Sequence, residues 1–222
     1  MDYKGKDIGS FFMGGDYPND WEDMSSFNYK GTSYLLVADT GDNFEFNLQS
    51  RLTIYYEPDV YIKENQNMEP FRVINYKYPK NKSYDVESVA VDIAQNKIIL
   101  LSKRNKKVHV FVLPLIMDNE TDKIIVAKPL IAKKVTKLDY FRRPTSMDIS
   151  HDGKFAIILT YGRVYFFENL KHKNWEKILK KPTKTIKYKS LFQPEGISFN
   201  KSATKLYISS ERLPAKLLEI TL

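Results

Sequence analysis

The sequence contains no cysteine and only three histidines among its 222 residues. Without cysteine, disulfide bonds, thiolate metal sites and a cysteine nucleophile are all excluded. No stretch approaches the roughly 18–20 apolar residues that a transmembrane helix requires. The usual hydrolase, phosphate-binding and dinucleotide-binding motifs are missing as well, so no reaction class follows from a motif and the question of catalysis stays open.

The first 20 residues contain no apolar segment of signal-peptide length. This predicts either a cytosolic protein or a chain with a further segment upstream of Met1, and the localisation stays open. Tyrosine and phenylalanine, by contrast, are abundant, with 15 and 13 copies. Because aromatic and β-branched residues favour strands, the composition favours β structure. At this length one large all-β domain is as plausible as two small ones, and the repeat described below favours a single domain spanning residues 1–222.

The net charge of +8 is unevenly distributed. Residues 171–189 contain eight lysines and one glutamate, a local charge of +7 that leaves the rest of the chain at +1. Such a run predicts a solvated surface or an anion-binding patch, with Lys180, Lys181, Lys184 and Lys187 as its residues, and we favour the solvated surface. Interleaved aromatic side chains are scarce in this segment, which argues against nucleic acid as a partner.

A repeated pattern organises the chain. An acidic or polar residue, a short strand, a turn and an apolar strand recur in units that start near residues 20, 85, 144 and 194. A third strand follows in each unit, at 51–58, 107–115, 163–169 and 215–222, and a fourth precedes the next unit, at 70–78, 124–135 and 183–189. Four-stranded units of this length predict a β-propeller of about four blades, complete or the remnant of a five- or six-bladed ring.

Two further expectations concern the chain ends and the third unit. The last unit lacks a fourth strand, and residues 6–13 supply a spare one, so we expect the strand near Ile8 to Met13 to pair with the strand near Lys216 to Thr221. Trp175, Ile178 and Leu179 are spaced as on a helix, which predicts a short surface helix within the third unit.

The segments DWEDM, LLVADTGDN, DVESVAVD and QPEGISFN follow one another along the chain. Their order resembles a group of bacterial β-propeller proteins with the motifs W-E-D, A-D-x-G-D-N, D-x-E-A and Q-G-E-x-I, from about Asp20 to the C-terminus. The resemblance implies a propeller without an assigned activity. Members of this bacterial group are usually exported and carry an additional N-terminal blade. More distantly, the acids at the strand heads are similar to those of calcium-binding lactonase and phytase-like propellers.

The innermost strand of each propeller blade follows the central axis, so residues at the starts of these strands converge at one mouth. Glu22, Glu87 and Glu195 occupy this position in three units, and Thr145 occupies it in the fourth. Oxygen ligands without cysteine suit a hard cation such as calcium. The other candidate ligands are Asp23, Asp39, Asp42 and Glu211. Each of these acids could instead hold neighbouring blades or loops together by hydrogen bonds.

The sequence therefore predicts a propeller that binds a small-molecule ligand or a divalent metal at the mouth of its central channel. One alternative is a metal-dependent hydrolase of phosphoester, ester or lactone substrates, in which the metal would activate water. A second alternative is a platform for a protein partner, because the fold alone does not decide function.

Overall fold

The computed structural model describes residues 10–14, 18–44, 46, 49–58, 66–117, 124–126, 128–189, 191–211 and 215–222. The first strands are β1 (Phe11–Met13), β2 (Trp21–Tyr29), β3 (Thr32–Asp39), β4 (Ser50–Tyr56), β5 (Gln66–Met68) and β6 (Arg72–Lys77). They are followed by β7 (Val86–Asp92), β8 (Lys97–Ser102), β9 (Val108–Pro114), β10 (Leu130–Ile131), β11 (Lys133–Leu138) and β12 (Pro144–Ile149). The last strands are β13 (Phe155–Thr160), β14 (Arg163–Glu168), β15 (Lys184–Lys187), β16 (Pro194–Phe199), β17 (Lys205–Ser210) and β18 (Leu217–Thr221). The helical elements are α1 (Trp175–Ile178) and two 3₁₀ turns, Pro79–Asn81 and Ile93–Gln95.

Four sheets form the four blades of a β-propeller, which confirms the predicted fold class. From the axis outward, blade 1 has the order β2-β3-β4-β6-β10 and blade 2 the order β7-β8-β9-β11. Blade 3 has the order β12-β13-β14-β15, and blade 4 the order β16-β17-β18. Neighbouring strands are antiparallel except that β10 runs parallel to β6 at the outer edge of blade 1.

Burial along the strands follows from their place in the blades. Side chains of β6 alternate between buried and half-buried, as expected for a strand with one face in the core. The middle strands β8 and β13 are buried along nearly their whole length, because other blades cover both of their faces. Between β2 and β3 the chain reverses through Lys30 and Gly31, with φ of 51° and 87°. Two successive positive φ values are typical of a two-residue hairpin turn with glycine at its second position.

Three hydrophobic clusters hold successive blades together. The first joins blades 1 and 2 around Leu36, Ile74 and Phe111, and the second joins blades 2 and 3. The third joins blades 3 and 4 around Ile157 and Leu206. Apolar burial between adjacent sheets is therefore the main source of stability, at about 25 cal/mol for each Å² removed from water.

The N-terminal strand does not close the last blade, so that prediction is wrong for the described residues. β1 pairs in parallel with β5, and the Gly14 N–H donates to the Met68 carbonyl at 2.7 Å. The Tyr55 hydroxyl donates to the Gly14 carbonyl at 3.0 Å, which fixes this segment against blade 1 instead of β18. The predicted start of the strand, near Ile8, lies outside the described residues.

Two other segments differ from their predicted roles. The expected fourth strand at 124–135 divides between two blades, since β10 joins blade 1 and β11 joins blade 2. The helix α1 lies where it was predicted, but Trp175 and Leu179 are fully buried in the cluster between blades 2 and 3. At four residues, this helix is far too short to cross a membrane, and no other described helix is long and apolar enough to do so.

Candidate metal centre at the propeller mouth

Three carboxyl groups meet at the mouth where the inner strands begin. Glu22 lies in β2 of blade 1, Glu87 lies in β7 of blade 2, and Asp85 immediately precedes β7. One oxygen from each lies within 4.8 Å of the other two. Asp85 and Glu87 are buried, and Glu22 is half-buried. The structure thus brings two of the predicted acids together and adds a third that the predictions did not include.

The proximity of these acids changes their protonation. Burial, together with the negative charges of Glu87, Asp20 and Asp85, raises the pKa of Glu22 to about 9. Burial likewise raises the pKa of Glu87 to about 7, although its ion pair with Lys103 favours the charged form. At neutral pH the Glu22 side chain is therefore protonated unless a cation lies beside it.

Two basic residues after β8 already compensate part of the negative charge. The Lys103 ammonium pairs with Glu87 and lies 3.9 Å from Glu195 of blade 4. The Arg104 guanidinium lies 2.5 Å from Asp85, whose other oxygen accepts the Asp42 N–H at 2.9 Å. Glu195 accepts a hydrogen bond from the Tyr161 hydroxyl at 3.1 Å and belongs to the same mouth.

Gly41 makes room for the carboxyl groups on the side of blade 1. A Cβ atom at this position would clash with the side chains of both Glu22 and Asp20. Any larger residue at this point of the TGDN turn after β3 would therefore make the two acidic side chains shift.

Asp23, a predicted ligand, lies below the mouth and on the axis. Its Oδ2 accepts the N–H groups of Val89 at 2.8 Å and Met147 at 3.1 Å, from blades 2 and 3. Its Oδ1 accepts the Ser146 hydroxyl at 2.8 Å and the Met24 N–H at 2.9 Å. Burial raises the pKa of Asp23, and these donors partly offset that effect. The geometry gives Asp23 a structural role as the acceptor that joins three inner strands.

Two further predicted acids, Asp39 at the end of β3 and Asp42 in the turn after it, also make structural contacts. Asp39 accepts the backbone N–H of Asp20 at 2.7 Å and pairs with Arg51 at 2.7 Å. Asp42 accepts hydrogen bonds from the Phe46 N–H, at 2.9 Å, and from the Ser83 hydroxyl. Both carboxylates shape the loop around the mouth, and neither belongs to the group of three close acids.

The remaining predicted residues lie on blades 3 and 4. The Thr145 hydroxyl donates to the Pro194 carbonyl at 2.7 Å, so this residue links blade 3 to blade 4. Glu211 accepts the Gln193 amide at 2.8 Å beside the mouth. The side chains of Lys180, Lys181, Lys184 and Lys187 are all exposed, as a solvated surface requires.

Sequence reasoning missed Asp20, Asp85, Lys103 and Arg104. For the two aspartates a signal was present, because DWE and DVE repeat an Asp-x-Glu pattern at the heads of blades 1 and 2. The repeat gave no indication of Lys103, because the residues at the equivalent position in the other blades are Thr40, Tyr161 and Glu211. Arg104 follows Lys103 directly.

Several solved structures are similar to this chain at low sequence identity. The hydrazine synthase of Kuenenia stuttgartiensis is 10% identical, with a TM-score of 0.49, over 93% of this chain and 47% of that protein. A functionally unknown protein of Desulfotomaculum acetoxidans is 13% identical, with a TM-score of 0.47, over 93% of this chain and 56% of that one. A proposed 6-phosphogluconolactonase of Bacteroides uniformis is 10% identical, with a TM-score of 0.47, over 90% and 67%.

The chain thus spans between 47% and 67% of the length of these three proteins. No family model matches the sequence, and no curated protein sequence is similar to it. The resemblance to the bacterial propeller group therefore stays a prediction, and the fold assignment depends on the arrangement of the four blades.

Proposed function

We propose that the protein binds a hard divalent cation, with calcium the best suited, between Glu22, Asp85 and Glu87. The observation that carries this proposal is the approach of three carboxyl oxygens to within 4.8 Å of one another. Calcium binds oxygen ligands at about 2.3–2.6 Å, so two oxygens on one ion lie no more than about 5 Å apart. The distances in the mouth fit this limit.

The charges in the mouth support the same proposal. The carboxyl groups of Asp20, Glu22, Asp85 and Glu87 influence one another, and Lys103 and Arg104 are the basic residues beside them. When all six groups are ionised, negative charge is in excess. A bound cation would lower the free energy of the ionised form of Glu22, so binding near neutral pH should release a proton.

Lys103 is the natural competitor for the ion. Its ammonium pairs with Glu87, one of the three proposed ligands. A cation that binds there must displace this ammonium or share the carboxylate with it. The variant Lys103→Met should therefore bind calcium more tightly than the wild type, and it should melt at a lower temperature in EDTA because the acids lose a counter-charge.

The melting temperature in calcium and in EDTA tests the proposal. A ligand at a hundredfold excess over its Kd stabilises the folded state by about 2.7 kcal/mol, which in a domain of this size raises the melting temperature by roughly 5–10 °C. Glu22→Gln should abolish the rise. This variant should fold normally in EDTA, because glutamine resembles the protonated side chain that Glu22 has at neutral pH.

The matched control is Glu219→Gln, which removes an exposed carboxylate of β18 that pairs with Lys205 at 2.7 Å. It should keep the full response to calcium. Calorimetric titration in two buffers of different ionisation enthalpy should reveal the released proton. If neither the melting temperature nor the heat of mixing responds to calcium, the proposed cation site does not exist.

The hydrolase alternative depends on the same ion. None of the three histidines lines the described pocket at the mouth. His109 lies on β9, where burial and the charge of Lys134 lower its pKa to about 4. Any general base would thus come from the carboxylates, and chromogenic phosphoester and lactone substrates assayed with calcium would test for hydrolysis. A role as a platform for a protein partner stays a prediction.

A further inference from the structure

A pocket of about 390 Å³ opens beside the close acids, on the side of blades 2 to 4. Its volume lies within the range of about 300–1,000 Å³ that is usual for small-molecule sites. Among the described residues, five line it: Lys103, Arg104, Arg143, Tyr161 and Gln193. All five side chains carry hydrogen-bond donors, three of them are cationic, and none is a carboxylate.

Four of these five side chains are already held by neighbouring groups. Lys103 pairs with Glu87, and Arg104 pairs with Asp85. The Tyr161 hydroxyl donates to Glu195, and the Gln193 amide donates to Glu211. The pocket wall is therefore largely fixed before any ligand arrives, which reduces the entropy that binding must overcome.

Arg143 differs from the other four residues. Its side chain is exposed, and it makes no hydrogen bond or ion pair within the part of the chain that the structure describes. Its positive charge thus has no ion-pair partner among the described residues, while those of Lys103 and Arg104 do. A guanidinium in this situation suits a planar carboxylate or a tetrahedral phosphate, because its N–H groups match the spacing of their oxygens.

The backbone at the pocket also has an uncommon conformation. Arg143 and Gln193 have φ values of 55° and 42°, and each directly precedes a proline, Pro144 or Pro194. Left-handed backbone is disfavoured for residues other than glycine, and a following proline restricts the preceding residue further. Such conformations cluster at ligand sites, and these two residues line the same pocket.

We propose that this pocket binds the oxyanion group of a small ligand, a phosphate monoester or a carboxylate, with Arg143 as its main contact. The Gln193 amide, which has a second N–H beside the one that donates to Glu211, would bind a further oxygen of the ligand. The site does not require the proposed cation, since Arg143, its main contact, makes no ion pair with any of the three close acids, unlike Lys103 and Arg104.

Calorimetric titration with inorganic phosphate in EDTA, at constant ionic strength, tests the proposal, with acetate in a parallel titration. We expect saturable binding of at least one of the two anions, and the stronger one identifies the class of oxyanion. Arg143→Gln should weaken this binding about tenfold, which is the usual effect of losing one charge-assisted hydrogen bond. Glutamine suits the backbone there, because Gln193 adopts the same conformation before Pro194.

The matched control is Arg142→Gln, which removes an exposed neighbouring charge that does not line the pocket. It should change the affinity by less than about twofold, because solvent and salt screen exposed charges. Equal melting temperatures of the two variants without phosphate would show that both fold. If neither anion saturates the wild type, or if both arginine variants weaken binding equally, the pocket is not an oxyanion site.

The same variants separate this proposal from the cation site. Glu22→Gln should lose the response to calcium and keep phosphate binding. Arg143→Gln should keep the response to calcium and bind phosphate more weakly. Loss of phosphate binding in Arg143→Gln with calcium binding intact supports the pocket alone. Phosphate binding that disappears in EDTA and returns with calcium would overturn the claim that the pocket is independent.

Discussion

Replacement of Asp23 by alanine should destabilise the propeller strongly, because this side chain joins three inner strands at the axis. The substitution leaves the buried N–H groups of Val89 and Met147 without their acceptor. An unsatisfied buried donor costs about 1–3 kcal/mol, so two of them cost about 2–6 kcal/mol. Burial of the Asp23 carboxylate has a desolvation cost, which is why the pKa of Asp23 is raised. The alanine variant no longer has this cost, so part of the loss is offset. We therefore expect a net loss of about 2–4 kcal/mol.

For a domain of this size such a loss lowers the melting temperature by roughly 5–15 °C. Differential scanning calorimetry measures it, and far-UV circular dichroism checks that the variant is folded. Asp23→Asn should lose less, because one amide oxygen still accepts from Val89 and Met147 while the amide N–H groups face the Met24 N–H and Ser146. This second variant keeps the experiment informative if the alanine variant does not fold.

Ser25→Ala is the matched control. Among the described contacts, the Ser25 hydroxyl accepts one hydrogen bond, from the Val91 N–H at 3.2 Å. Its loss therefore leaves one buried donor between two blades without an acceptor. If Asp23→Ala melts no lower than Ser25→Ala, Asp23 does not join three strands. If Asp23→Asn abolishes the response to calcium while its stability stays unchanged, Asp23 is a ligand and not a structural acceptor.

Two further predictions concern charge. Burial raises the pKa of Asp148 from 3.8 to about 7. The folded state therefore holds this proton more tightly than the unfolded state does, and the resulting stabilisation is fully present below pH 4 and is lost as the pH rises to 7. The loss amounts to at most about 4 kcal/mol. Asp148→Asn should therefore raise the melting temperature relative to the wild type more at pH 8 than at pH 5, and an equal change at both would contradict this. Changing Lys180, Lys181, Lys184 and Lys187 together to glutamine should alter the melting temperature by no more than about 2 °C, because exposed charges contribute little to stability. A large loss would show that the segment is packed.

The blades were predictable from the sequence because strand alternation and turns are local. The strands β9, β14 and β18 lie within the predicted segments, and β4 begins one residue before its segment, since their aromatic and β-branched residues favour extended backbone. Edge pairing was not predictable in the same way. Residues 124–135 contain the apolar runs IIVA and LIA on either side of Lys128 and Pro129, and nothing in this local pattern shows that β10 joins blade 1 while β11 joins blade 2.

The site was predictable only in part. Recurrence identified Glu22 and Glu87, because equivalent positions in a repeat converge on the axis. Recurrence alone could not distinguish a metal-binding acid from an acid that accepts hydrogen bonds within the protein. Asp23 accepts a hydrogen bond from Met147, which lies 124 residues away in the sequence, and no local pattern encodes that contact. Thr145 occupies the same repeat position as the glutamates, yet its hydroxyl links two blades.

One position in the repeat explains why the mouth has two chemically different sides. Glu22, Glu87, Thr145 and Glu195 occupy equivalent positions in blades 1 to 4. The residues two places before them are Asp20, Asp85, Arg143 and Gln193, in the same order. Asp85 is one of the three close acids and Asp20 lies beside them, whereas Arg143 and Gln193 line the adjacent pocket. A fourfold repeat with one acid at every such position would have gathered four like charges around the axis at a high electrostatic cost. Divergence at this position lowers that repulsion, and it places the proposed oxyanion pocket beside the proposed cation site.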